Sequence, residues 1–106
     1  EAFPVDNEHA SLPPPDKLLG NEVTGMEVDD GAIHIRFGNK AHNYLQGKTL
    51  SMRPITVQGS PESPMSWVCG NSRVPDGMTA HGRNRTDIKP GMLPVNCRKL
   101  GNEESE

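Results

Sequence analysis

The sequence predicts an antiparallel sheet of about four short strands with one face buried, followed by a long irregular segment between its two cysteines. Three observations carry this. Residues 32–37, AIHIRF, alternate strictly, with Ile33, Ile35 and Phe37 on one face and His34 and Arg36 on the other. A strand-like run at 22–28, EVTGMEV, precedes them across Asp29-Asp30-Gly31, a strong short-range hairpin signal. The chain also has eleven Gly and ten Pro in 106 residues, which favours short elements joined by turns over long helices.

Taken in order, residues 1–20 form an arm. Pro13, Pro14 and Pro15 enforce an extended polyproline conformation there and forbid helix, and Phe3, Val5, Leu12, Leu18 and Leu19 are the expected anchors. The sheet occupies 21–69. Gly25 predicts a bulge or kink in the first strand. After Gly38-Asn39, KAHNYLQG is a single helical turn or a loop. KTLSMRPITV at 48–57 starts as an alternating strand with Leu50 and Met52 inward, and Pro54 marks a bulge, an edge position or the strand's end. GSPESP at 59–64 is a turn, and MSWVC at 65–69 is a fourth strand with Met65, Trp67 and Cys69 on one face. An apolar sheet face of this width requires a cover. No amphipathic run in the chain is long enough to supply one.

Residues 70–98 have almost no hydrophobic periodicity, and Cys69 and Cys97 bracket them. The two cysteines are either buried free thiols or a disulfide. The setting favours the disulfide, since a polar, Gly/Pro-rich loop builds little core of its own. Closing a loop of this length contributes roughly 3–4 kcal/mol on the chain-entropy account. That implies an oxidising compartment. The sequence shows no signal peptide and no apolar run of transmembrane length, so an exported protein would have its leader or anchor removed or on another chain. Residues 99–106 are expected to be a disordered acidic tail.

Charge is unevenly placed. Residues 1–35 carry eight acids and one base; residues 36–100 carry ten bases and three acids. Three readings stay open: scattered solvated charge, docking of the acidic third on the basic region of a neighbouring copy, or attraction of an anion by the basic region. Arg73, Arg83, Arg85, Lys89, Arg98 and Lys99 are the candidate contact surface, for another subunit or for weak, non-specific DNA binding through phosphates. The bracketed loop has no Phe, Tyr or Trp on which bases would stack. The four histidines show no metal-ligand spacing, no nucleophile–base pattern or phosphate loop is present, and neither enzyme activity nor a cofactor or metal is expected. Asn84-Arg85-Thr86 has the form of a glycosylation sequon.

One resemblance joins these elements. DDGAIHIRFGNKAHNYLQGKTLSMRP, then SWVCG, a bracketed loop and MLPVNCR resemble the globular headgroup of type IV pilins. The features that carry the likeness are Phe37-Gly38-Asn39, Gly47-Lys48-Thr49-Leu50, Trp67-Val68-Cys69-Gly70 and Leu93-Pro94-Val95-Asn96-Cys97-Arg98. EAFPVDNEHASLP resembles the segment where that family's N-terminal helix ends. The resemblance covers about residues 1–98 and implies an α+β headgroup whose sheet packs on a long N-terminal helix. That helix is absent from these residues, and contact with a membrane would come only through it. The resemblance also implies an exposed disulfide-bounded loop, other pilin subunits as partners, and a cell-surface filament of the kind that serves adhesion or motility.

Overall fold

The computed structural model describes residues 3–60 and 65–98. Five strands form one antiparallel sheet: β1 (Val23–Asp29), β2 (Ala32–Phe37), β3 (Thr49–Val57), β4 (Ser66–Cys69) and β5 (Met78–Ala80). The order is β1-β2-β3-β4, with β5 also on β3. Met52 pairs with both Ile33 and Cys69, and Ile55 with both Ser66 and Ala80. So β4 holds one edge of β3, while β2 and β5 share the other, end to end.

The hairpin forms where expected. Asp30 and Gly31 have φ of +51° and +90°, the two positive values that a type I′ turn demands. The register slips between Val23 and Gly25, which is the predicted bulge. Pro54 does not end β3. β2 pairs only as far as Met52 and β5 begins at Ile55, so on that edge the missing N–H of Pro54 falls in the gap between them. Residues 40–47 are a turn-rich loop.

Several expectations are corrected. The bracketed segment is not wholly irregular: it supplies β5 and two 3-10 turns, Pro90–Met92 and Val95–Cys97. No α-helix occurs among the described residues, so the α part of the expected α+β fold is not seen there. Pro15 starts a 3-10 turn, Pro15–Lys17, because the first helical position needs no N–H donor. The expected tail 99–106, and residues 61–64 of the expected turn, lie outside the described residues.

The arm runs along the outer edge of β1. Gly31 and Asp30 donate backbone N–H bonds to Pro4 and Val5 carbonyls. Of the expected apolar anchors, Val5, Leu12 and Leu19 are exposed, while Leu18 is half-buried and Phe3 packs on the His81 ring with centroids 4.8 Å apart. Asn7 adds a polar hold. It is 4% exposed; its Oδ1 accepts from Val28 N–H at 2.6 Å, and its Nδ2 donates to the Met26 and Pro13 carbonyls at 2.9 Å. The carboxamide thus stands in for a neighbouring strand on an edge that would otherwise be open. Asn7→Ala leaves the buried Val28 N–H and the partly buried Met26 and Pro13 carbonyls without this partner. It should lower unfolding free energy by about 2 kcal/mol, measured by urea denaturation, with early hydrogen exchange at Val28.

Candidate assembly face and the strap that frames it

Cross-strand partners share a face. One face therefore carries Glu27, Asp29, Ala32, His34, Ser51, Ile55 and Val68, and the other Met26, Ile33, Ile35, Phe37, Leu50, Met52, Trp67 and Cys69. Alternation marks the second as the buried face. The structure buries the first more deeply: Asp29, Ala32, His34, Ser51, Ile55 and Val68 are all buried. On the apolar face Val28, paired with Ile33, and Pro54, paired with Trp67, are buried, but Ile33, Ile35, Phe37, Leu50 and Met52 are only half-buried and Trp67 is 43% exposed.

The strap that follows β5 explains the inversion. Gly82 meets the β1–β2 hairpin so closely that a Cβ there would lie 2.5 Å from Ala32 Cβ, at a φ of +84° that also favours glycine. Arg83 Nε donates to Asp29 Oδ2 at 3.0 Å. Arg85 reaches Glu27 at 2.8 Å and Asp29 at 3.3 Å. Arg85 N–H donates to Ser51 Oγ at 2.8 Å, and Ser51 N–H to Thr86 Oγ1 at 3.0 Å. Asp87 then continues β3's edge where β4 stops: its N–H bonds the Thr49 carbonyl, and its carboxylate accepts Thr49 N–H at 2.7 Å. Beyond it the chain rounds the sheet. Ile88, Leu93 and Cys97 form a buried cluster against Phe37, Leu45, Leu50 and Cys69, which belong to the apolar side. The Cys69–Cys97 disulfide closes the belt. One segment thus covers the polar face and one end of the apolar face. Ile33, Ile35, Met52, Trp67 and the exposed Met65 are left at the other end.

Asp29 sits at the centre of the polar clasp. Burial by itself would raise its carboxyl, but hydrogen bonds from Arg83 and His34, with the charges of Arg83 and Arg85, outweigh it and hold Asp29 below the usual carboxylate range. His34 Nε2 is 3.1 Å from Asp29 Oδ2 and its Nδ1 is 2.6 Å from Ser51 Oγ. The connectivity is that of a Ser–His–Asp relay, but Ser51 is fully enclosed and its Oγ already accepts Arg85 N–H, so no substrate reaches it. The constellation positions the strap.

The six candidate cations are placed separately. Arg83 and Arg85 are committed to acids of their own chain. Arg73 lies 3.8 Å from Asp76, and Arg98 Nε donates to the Leu93 carbonyl at 2.9 Å. Lys89 is exposed, and Lys99 lies outside the described residues. The acidic third and the basic region therefore meet within one chain at Glu27, Asp29, Arg83 and Arg85. The sequence had suggested this complementarity but assigned it to neighbouring copies. It gave no sign of Asn7 or Ser51, and Asp29 read only as a turn residue. The one available hint was His34 alternating onto a face already rich in carboxylates.

Among the described residues no group of His, Cys, Asp and Glu is arranged to hold a metal ion, and no helix is long and apolar enough to cross a membrane. No curated protein matches the chain significantly. Compared with known families, residues 1–98 match the model for pilin, the bacterial filament protein. With that match spanning nearly the whole chain, and a disulfide-belted antiparallel sheet beneath it, the chain belongs to the pilin family of bacterial filament subunits.

Proposed function

We propose that this chain is the headgroup of a type IV pilus subunit, and that the open end of its apolar face is the seat of an apolar helix in the assembled, surface-displayed filament. The observation that supports this is the inverted burial. The polar face is closed by the strap, while Ile33, Ile35, Met52 and Trp67 remain partly in water. A contiguous apolar patch of this kind is a common mark of an assembly surface. A helix laid across it would complete the two-layer packing that a one-sided sheet requires. The role is structural, and the energy of assembly comes from apolar burial, with Trp67 as its largest side chain.

DNA capture by the bracketed loop is the competing use of the basic residues. It would have to break the Arg83–Asp29 and Arg85–Glu27 ion pairs before those two cations met a phosphate, which favours the structural role.

The test is Ile35→Asp, which puts a charge in the seat without touching the clasp or the disulfide. We expect a folded headgroup with its disulfide formed, but incorporation into filaments reduced at least tenfold, and Trp67 emission in wild-type filaments shifted to the blue of the free subunit. Incorporation of the variant at the wild-type level would overturn the proposal.

A further inference from the structure

The loop between β2 and β3 carries the exposed aromatic rings that the bracketed segment lacks. His42 and Tyr44 stack on each other with ring centroids 4.8 Å apart and planes 16° from parallel. Both are exposed, Tyr44 by 58%. The pair is held in place: Tyr44 N–H donates to His42 Nδ1 at 3.2 Å, which fixes the ring's orientation and leaves Nδ1 as the acceptor. The loop beneath is also held. Lys40 N–H bonds the Asn21 carbonyl, Ala41 N–H the Gly38 carbonyl, and Gly47 N–H the Phe37 carbonyl. Leu45 packs on the Ile88–Leu93–Cys97 cluster.

The charge around this pair is free in a way that the clasp's charge is not. Residues 38–48 contain Lys40 and Lys48 and no acid. Both lysines are exposed, and no acid is found in an ion pair with either among the described residues. Leu45 packs on the cluster that contains Ile88, and Lys89, next to Ile88 in the chain, is exposed as well. Of the acids on adjoining elements among the described residues, Asp87 is committed to Thr49 N–H, and Glu22, whose carbonyl receives Gly38 N–H, is an opposing charge. An exposed, pre-oriented aromatic face on a loop that carries Lys40 and Lys48 suits a chain of flat rings joined by anions.

We propose that the His42–Tyr44 stack with Lys40, Lys48 and Lys89 is a binding site for single-stranded nucleic acid, one base stacking on Tyr44 and the adjoining phosphates meeting the lysines. A duplex offers its bases only at its ends, so it would engage the lysines alone. A single subunit binds weakly, and copies repeated along a filament would raise the apparent affinity through avidity. The site does not depend on the seat proposed for the helix, and it is measured on the free chain, so the two proposals fail separately.

The experiment is fluorescence anisotropy of a labelled twelve-nucleotide oligo(dT) with the chain at low salt, against a duplex of equal length and against heparin as a ring-free polyanion. We expect oligo(dT) to bind more tightly than either, with quenching of Tyr44 emission. Tyr44→Ala should weaken binding by about tenfold or more, since one stacked base is worth that much, and Tyr44→Phe should restore it. Lys40→Gln with Lys48→Gln should flatten the salt dependence by about two phosphate contacts. Thermal melting of each variant establishes that it is folded, as expected for exposed positions. No binding by the wild type, equal binding of all three polyanions, or a Tyr44→Ala variant that binds like the wild type would each overturn the proposal.

Discussion

Replacing Cys69 and Cys97 by serine is expected to lower unfolding free energy by about 3–4 kcal/mol, on the loop-closure entropy of a sequence separation of 28. That is a large fraction of the stability of a domain this size. The loss should be uneven. The bond ties the strap to the sheet beside the cluster of Ile88, Leu93 and Cys97, the part of the core that rests on the apolar face. Without it, hydrogen exchange should accelerate first in residues 88–97, and Phe37, Leu45 and Leu50 should become accessible to a hydrophobic dye. The clasp at Asp29 should open later. Denaturant melts of the oxidised, reduced and double-serine forms measure the loss. A double-serine form as stable as the oxidised wild type would mean that apolar packing alone holds the belt.

Asp29→Asn is the second large effect. The carboxylate accepts from Arg83, Arg85 and His34 together. A carboxamide keeps the shape but loses the charge and one acceptor function, leaving the guanidinium of the half-buried Arg85 with Glu27 alone. A cost of about 1.5–3 kcal/mol at neutral pH follows from loss of charge-assisted hydrogen bonds. The pH dependence gives the sharper test. Asp29 has a folded-state pKa below its unfolded value, so its contribution is complete above the unfolded carboxylate range and is lost as pH falls through the depressed folded value. Wild-type stability should therefore fall on acidification below about pH 4. In Asp29→Asn the fall over that interval should be visibly shallower, because the group that titrates is gone. Identical acid limbs in the two proteins would remove Asp29 from the clasp.

Local signals in the sequence carried a good deal of this molecule. The alternation of AIHIRF, the Asp29-Asp30-Gly31 turn and the Gly25 bulge are each decided within a few residues by backbone sterics, and each formed as expected. The order and spacing of short motifs from Phe37 to Arg98 pointed to the family before any contact was known. Two cysteines flanking a segment with little apolar content already argued for a covalent closure, because such a segment cannot build its own core.

What the sequence left open was every choice made between distant segments. Alternation separates a strand's two faces but does not say which one a remote strap will cover, and the strap took the polar face because Arg83 and Arg85 find Asp29 and Glu27 there. β5 is three residues long, too short to show a period, and exists because β2 leaves part of β3's edge unpaired. Asn7 looks like any loop residue until the open edge of β1 gives its carboxamide three backbone partners. Composition and alternation decided the local parts, and the resemblance of the motifs from Phe37 to Arg98 pointed to the family. Hydrogen-bond demand at open strand edges, and charge pairing across more than fifty residues of chain, decided which face of the sheet the strap covers.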